Sequence, residues 1–260
     1  MRRITLKFKD PGRPVLANNI SPTVFRSQDI ESLKKLEVKS GNRTYLLKDL
    51  FMIEEEGDRL TPVDTIIIED SSFNLKRIGE GMEGGKIIVN GDAGMHLGAY
   101  MIGGEITVNG SVDDWCGAEM SGGVIHVLED AGNFLGANYI GSLEGMRGGI
   151  IKVEGSGKDF TGMRMAGGEI IVKGDCGSFL GYYMLNGIIT VEASCGGETG
   201  ARMRGGVINI YGSAEIGLGF KKIGLKKITS DSGEFTLQVF KGDLIENGEG
   251  EIRVAKLNNP

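Results

Sequence analysis

The side chains best suited to nucleophilic, acid–base or metal chemistry are few in this chain. There are two histidines, His96 and His126, and three cysteines, Cys116, Cys176 and Cys195. A Ser/His/Asp triad on a nucleophile elbow would need a Gly-x-Ser-x-Gly turn, and none occurs. A zinc or iron–sulfur site would need closely paired ligands such as Cys-x-x-Cys, and these cysteines are not so spaced. Gly85-Lys86 suggests a phosphate-binding loop, but that motif requires Gly at position 80 and Ser or Thr at 87, where the chain has Glu80 and Ile87. Asp92 and Asp175 lack the nine-residue spacing of calcium-binding repeats. Glu105 and Glu169 are the best carboxylate pair for a polysaccharide-cleaving site, yet they lie three repeats apart, with no cluster of basic residues beside them. The histidines are therefore read as surface residues and the cysteines as structural, with no catalytic, cofactor-binding or metal residue in the chain.

The elements that carry these residues come from an internal repeat. Met82, Met101, Met120, Met146, Met165, Met184 and Met203 open seven similar lines, at steps of 19, 19, 26, 19, 19 and 19 residues. Three residues after each Met comes Gly: Gly85, Gly104, Gly123, Gly149, Gly168, Gly187, Gly206. Sixteen residues after each Met comes another: Gly98, Gly117, Gly136, Gly162, Gly181, Gly200, Gly219. Positions +5 and +7 are always Ile or Val, a period of two that marks a short strand with one buried face. Nineteen residues are too few for a helical repeat unit or a propeller blade. The expected fold is all-β: a parallel β-helix (β-solenoid) of seven to eight coils stacked about 4.8 Å apart. The glycines are read as its corners. A normal coil plus seven residues, near Tyr139 to Gly145, explains the longer step.

Cys176 and Cys195 share position +11 with Ala, Val and Gly of other coils, which reads as a small apolar core ladder. Position +14 is aromatic or imidazole in five coils: His96, Trp115, Phe134, Phe160 and Phe179. Its alternation with the Leu-rich +15 row favours an outward direction, and an outward apolar stripe marks a partner interface.

The flanks lack the repeat. Residues 1–62 are read as an N-terminal cap with a short helix that Ser27 caps, followed by a solvated turn at Glu54–Asp58. The repeats occupy 63–219, with 63–81 as a degenerate first coil. Residues 220–260 are read as a C-terminal cap with short strands, such as Phe235–Phe240 and Glu251–Val254. Glycine, at 44 of 260 residues, is about twice its usual share, and with only 5 prolines this indicates regular turns rather than a disordered linker. The net charge of -6 argues against nucleic acid and anionic membranes as partners. The longest uncharged run, Cys176 to Val191, is sixteen residues and too polar to span a bilayer. With no apolar segment after Arg2 and Arg3, and no disulfide framework, the expected location is the cytoplasm.

Within each coil, +9, +12 and +16 tend to spell G-x-x-G-x-x-x-G, complete at Gly91/Gly94/Gly98 and Gly174/Gly177/Gly181. This resembles the C-terminal β-helix of the glutamate synthase large subunit. The tandem unit G-x-x-M-x-x-G-x-I-x-V-x-G is more specific, as in GEGMEGGKIIVNG (79–91), GAYMIGGEITVNG (98–110) and GYYMLNGIITVEA (181–193). It resembles the C-subunit family of formylmethanofuran dehydrogenases, and the 35–51 and 239–244 segments fit as well. Departures are Leu143, Glu129 and Ala193 in place of glycines. The resemblance implies a non-catalytic scaffold in a complex that reduces CO2 and forms formylmethanofuran in the first step of methanogenesis. It implies partners carrying a molybdenum or tungsten pterin and Fe–S clusters, an amidohydrolase-like subunit with a dinuclear metal site, and a ferredoxin-like subunit. A related C subunit occurs in bacterial formyltransferase/hydrolase complexes, and a glutamate-synthase-like amidotransferase domain is the other alternative.

Overall fold

The computed structural model describes residues 2–58, 60–230 and 233–258. Met1, Arg59, Asp231, Ser232, Asn259 and Pro260, which belong to the expected flanks, lie outside the described residues. The chain is mostly β. Thirteen strands form one large sheet: β1 Arg2–Phe8, β2 Phe51–Gly57, β3 Val63–Ser71, β4 Lys86–Gly91, β5 Glu105–Val108, β6 Val124–Val127, β7 Ile150–Val153, β8 Glu169–Val172, β9 Ile188–Val191, β10 Val207–Ala214, β11 Lys221–Ser230, β12 Gly233–Gly242 and β13 Gly250–Leu257. Their spatial order is β11-β12-β13-β10-β9-β8-β7-β6-β5-β4-β3-β1-β2. A smaller sheet of four short strands (Val15–Leu16, Glu37–Ser40, Arg43–Leu46 and Leu75–Lys76) lies in the N-terminal third.

Strands β4 to β10 are parallel neighbours, and each pairs in register with the next. The register aligns equivalent residues, so Ile87, Ile106, Ile125, Ile151, Ile170, Ile189 and Ile208 form one ladder. Val89 through Ile210 form a second, and both ladders are fully buried. A slip by one residue would turn every one of these side chains out to water, so burial fixes the register. β3 extends the ladders through Ile66 and Ile68, and β13 through Ile252 and Val254.

Successive repeats also touch away from the large sheet. Ala93 bridges Val112, Val112 bridges Ala131, and Cys176 bridges Cys195, all in parallel. At the +16 glycines the amide of Gly117 donates to Leu97 O at 2.8 Å, Gly136 to Cys116 O at 2.8 Å and Gly181 to Thr161 O at 2.9 Å. Backbone groups that a turn would otherwise strand inside the protein are thus paired between repeats.

The Met and +3 Gly rows explain one another. The seven Met side chains are fully buried. A Cβ added to Gly168 would lie 2.7 Å from Met146 Cε and 2.8 Å from Gly149 O, at a φ of +83°. The thioether methyl of one repeat therefore fills the space that a side chain on the next repeat would need. Gly219 departs from its row: it is absent from the positive-φ residues, and an added Cβ would collide with the Asp243 side chain. There the chain leaves the repeat, and the Asp243 turn packs on it.

The flanks depart from expectation in three places. The short helix spans Ile30–Lys34, but its N-cap is Asp29, whose Oδ1 accepts the Ser32 amide at 2.7 Å. Ser27 lies two residues too early to reach that amide. The acidic stretch Glu54–Gly57 belongs to edge strand β2 rather than a turn, because Arg2 and Arg3 on β1 pair with Glu55 and Glu56. In the C-terminal flank, strand β11 is an addition to the expected strands, and β13 rejoins the repeat's own ladder.

Gly168→Val is expected to destabilise the chain by at least about 2 kcal/mol, since it combines an unfavourable φ with contact against backbone. Thermal melting followed by circular dichroism checks this; an unchanged midpoint would show that the corner tolerates a side chain.

Candidate interaction face

The +14 row is held at a corner where positive φ recurs at every second residue. His96, Trp115, Phe134, Phe160 and Phe179 all have φ between 59° and 68°, and Gly at +16 takes the same sign in the first six repeats. The intervening +15 side chains, Leu97, Cys116, Leu135, Thr161 and Leu180, are buried, whereas the +14 rings are half-buried. The rings point outward and stack on one another. Centroids are 5.6 Å apart for His96–Trp115, 4.6 Å for Trp115–Phe134, 5.1 Å for Phe134–Phe160 and 4.9 Å for Phe160–Phe179. Each aromatic contact contributes about 0.5–1.5 kcal/mol. A non-glycine residue at positive φ costs on the order of 1–3 kcal/mol. Four such contacts offset only part of the strain at five positions, so stability alone gives little reason to build the row.

Sequence reasoning missed a second row beside it. Tyr100, Glu119, Arg164, Tyr183 and Arg202, at +18, also adopt positive φ. Arg164 and Arg202 sandwich the Tyr183 ring, with guanidinium carbons 4.8 and 5.3 Å from its centroid. Such contacts stabilise the cations by about 0.5–1 kcal/mol each at exposed positions. The seven-residue insertion contributes Tyr139, whose hydroxyl meets His96 Nδ1 at 2.8 Å and whose ring lies 5.5 Å from that of Tyr100. Burial, with Arg77 and Lys76 nearby, lowers the His96 pKa and favours the neutral ring; burial raises the pKa of the Tyr139 phenol. The +18 row was legible only as a position with no shared chemistry. The insertion was legible as the single 26-residue step.

The other candidate residues do not converge on it. His126 lies on β6, where Nε2 meets Glu154 Oε1 at 2.7 Å. Glu154 also pairs with Lys152 at 3.6 Å and with Lys173. Hydrogen bonds from Lys173 and His126 hold the Glu154 carboxyl at about 2. Cys116 is fully enclosed and its thiol is pushed up to about 12 by burial. Cys176 and Cys195 stack in adjacent repeats, and the hydrogen bond between them, with burial, raises the Cys195 pKa. Protonated, enclosed thiols are poor nucleophiles and poor metal ligands. Among the described residues, no group of three or more His, Cys, Asp or Glu side chains could hold a metal ion. The donors among the described residues do not fit an iron–sulfur, pterin-metal or dinuclear centre. A surface groove of about 420 Å³ is lined by Arg3, Glu56, Thr65, Ile67, Lys86 and Ile88, away from the +14 row and both histidines. Among the described residues, no helix is long and apolar enough to cross a membrane.

The fold and this face define a repeat protein with a row of rings and guanidinium groups aligned along one face. No family model matches the chain. It is 37% identical over 100 residues to the C subunit of the tungsten-containing formylmethanofuran dehydrogenase 2 of Methanothermobacter wolfeii, covering 38% of this chain and 37% of that protein. It is 39% identical over 81 residues to the C subunit of the molybdenum-containing formylmethanofuran dehydrogenase 1 of Methanosarcina barkeri, covering 31% of this chain and 27% of that protein. The match thus spans 37% of the first of these curated relatives and 27% of the second. A crystal structure of the formyltransferase/hydrolase complex from Methylorubrum extorquens, solved with methylofuran, contains a chain that superposes with a TM-score of 0.88. That chain is 29% identical, and the superposition covers 96% of this chain and 98% of it. The sequence resemblance to the C subunit of formylmethanofuran dehydrogenase therefore holds for both its tungsten and molybdenum forms.

Glu154 gives a pH-dependent test. Its carboxyl pKa is depressed in the folded chain, so the ion pairs stabilise fully above the unfolded value of 4.5 and fade as pH falls toward about 2. Glu154→Gln should melt below the wild type near neutral pH, with the gap narrowing as the pH is lowered below about 4.5. A gap that is constant with pH would show that the charge contributes nothing.

Proposed function

We propose that this chain is the non-catalytic scaffold subunit of a formylmethanofuran dehydrogenase complex, which reduces CO2 and forms formylmethanofuran. In this reading the repeats of 63–219 wind as a parallel β-helix, and 1–62 and 220–260 cap its ends. The in-register strands, with the second set of bridges at Ala93, Val112 and Ala131, support the winding. The observation that carries the functional reading is the likeness, over 96% of this chain, to a chain of a formyltransferase/hydrolase complex. The curated relatives, named as the C subunits of the tungsten and molybdenum dehydrogenases, point to the same role.

The partners are the subunits that carry the chemistry: a molybdenum- or tungsten-pterin subunit with Fe–S clusters, an amidohydrolase-like subunit with a dinuclear metal site, and a ferredoxin-like subunit. The stacked face of His96, Trp115, Phe134, Phe160 and Phe179 is their docking surface. Half-buried aromatic rings fixed in one orientation lose little freedom on binding, which suits them to an interface. A second reading, the C subunit of a bacterial formyltransferase/hydrolase complex, is favoured by the near-complete coverage of the Methylorubrum chain. The two readings share the scaffold role and differ in whether the assembly contains molybdenum or tungsten.

The purified chain is expected to have neither CO2-reducing nor formate-oxidising activity, and no stoichiometric molybdenum, tungsten or iron. Activity assays and elemental analysis check this, and bound metal or turnover would overturn the scaffold reading. Trp115→Ala/Phe134→Ala should weaken assembly with the other subunits by about 30-fold or more, as expected for central aromatic contacts. Wild-type affinity in that variant would remove the aromatic stack from the interface.

A further inference from the structure

The seven-residue insertion is rigid at its base and apolar at its tip. Asn138, 4% exposed, donates from Nδ2 to Tyr139 O and Ser142 O, both at 2.8 Å. Glu119, 8% exposed, accepts the Tyr139 amide at 2.9 Å. The Ser142 amide closes a turn onto Tyr139 O at 3.0 Å, and Gly145 N donates to Arg164 O at 2.8 Å. Tyr139 itself is pinned by His96 and packs beside Trp115 and Tyr100. Two buried polar side chains are thus committed to fixing one surface loop. Yet that loop presents Ile140, 98% exposed, and Leu143, 74% exposed. A loop serving only to connect two repeats needs neither the buried polar anchors nor the aliphatic tip; most turns place polar residues there.

We infer that Ile140 and Leu143 form a preorganised knob that seats in an apolar pocket on a different protein of the same assembly. This rests on the scaffold reading above. The likeness to a chain of a formyltransferase/hydrolase complex is what points to a different protein as the occupant. Charge defines the pocket's rim. Arg164 donates to Leu143 O at 3.4 Å, and Arg147, two residues past the insertion, is exposed. Of the carboxylates at the loop, Glu119 is committed to the Tyr139 amide, and Glu144, next to Leu143, is outnumbered by the two arginines. The partner's pocket is therefore apolar at its floor and acidic at its rim. Because the base is already ordered, little conformational freedom is lost on docking, and the apolar burial is realised as affinity.

The test uses the chain and the remaining subunits, both recovered by dissociating the assembly purified from the host, and reads their re-association. Binding is followed by interferometry, and folding by thermal melting. Ile140→Asp/Leu143→Asp should bind at least about 50-fold more weakly, since each buried aliphatic side chain accounts for about tenfold or more in affinity. Its melting temperature should stay at the wild-type value, because both side chains are already in water. Leu218→Asp, at a residue 95% exposed elsewhere on the surface, should bind as the wild type does. Arg147→Glu should slow association, most at low salt. If the wild-type chain does not bind the assembly at all, the scaffold reading itself fails. If the wild type binds and the double variant binds within about threefold of it, the knob is refuted while the scaffold reading stands. Loss of self-association with unchanged binding to the assembly would equally refute it, assigning the knob to a second copy.

Discussion

In-register backbone pairing between successive repeats is the constraint on which the rest of this structure depends. Each repeat bonds to the next along the strand, and the +16 corner amides add a second line of bonds. Every residue must therefore tolerate its counterpart directly above and below. Apolar residues meet this by stacking alike, as the Ile and Val ladders do. Charged residues cannot, because like charges in register repel. The +10 row shows the consequence: Asp92, Ser111, Asp130, Ser156, Asp175 and Ser194 alternate. Each Asp accepts the amide of the Ser above it, at 2.9, 2.7 and 2.8 Å. The carboxylates act as caps within the stack, which is a sufficient role for residues whose spacing raises the question of calcium.

The same constraint shapes the outer face. The left-handed backbone recurs at +14 in the first six repeats and at +18 in five of those six. At +16, glycine relieves the strain, but at +14 and +18 the chain keeps large side chains. The rings compensate in part by stacking, and Arg164 and Arg202 by enclosing Tyr183. The result is a row of aromatic, imidazole and guanidinium groups whose positions are set by the backbone rather than by flexible loops. A surface fixed in this way is what the proposed docking role requires, since its groups lose little freedom on binding.

Much of this was legible in the sequence because the repeat is its own alignment. Seven instances of Met, Gly, Ile and Val at fixed offsets give strand, corner and core without any neighbour being known. The aromatic row was legible for the same reason. The flanks were harder, because each element there occurs once. Asp29 and Ser27 are equally good capping residues, and only the position of the first helical turn decides between them. Glu54–Gly57 has the composition of a turn, and its strand depends on Arg2 and Arg3, some fifty residues away. β13 lacks the Met of the repeat, where Asn247 stands, and keeps the +3 glycine as Gly250, against which Met203 packs; its place in the ladder rests on Gly250, Ile252 and Val254. The +18 row escaped notice because its residues share a backbone conformation and no chemistry. The role of Tyr139 depends on His96, 43 residues earlier, which no local pattern reveals.

The central claim is that this chain holds other subunits together. The most direct test is to purify it, tagged, from its native host and to determine the composition of what accompanies it by native mass spectrometry and elemental analysis. The account predicts a stoichiometric assembly of different proteins that includes an amidohydrolase-like chain. Molybdenum or tungsten with iron in that assembly would identify the dehydrogenase form, and their absence the hydrolase form. A chain that purifies alone, or only with copies of itself, would contradict the account.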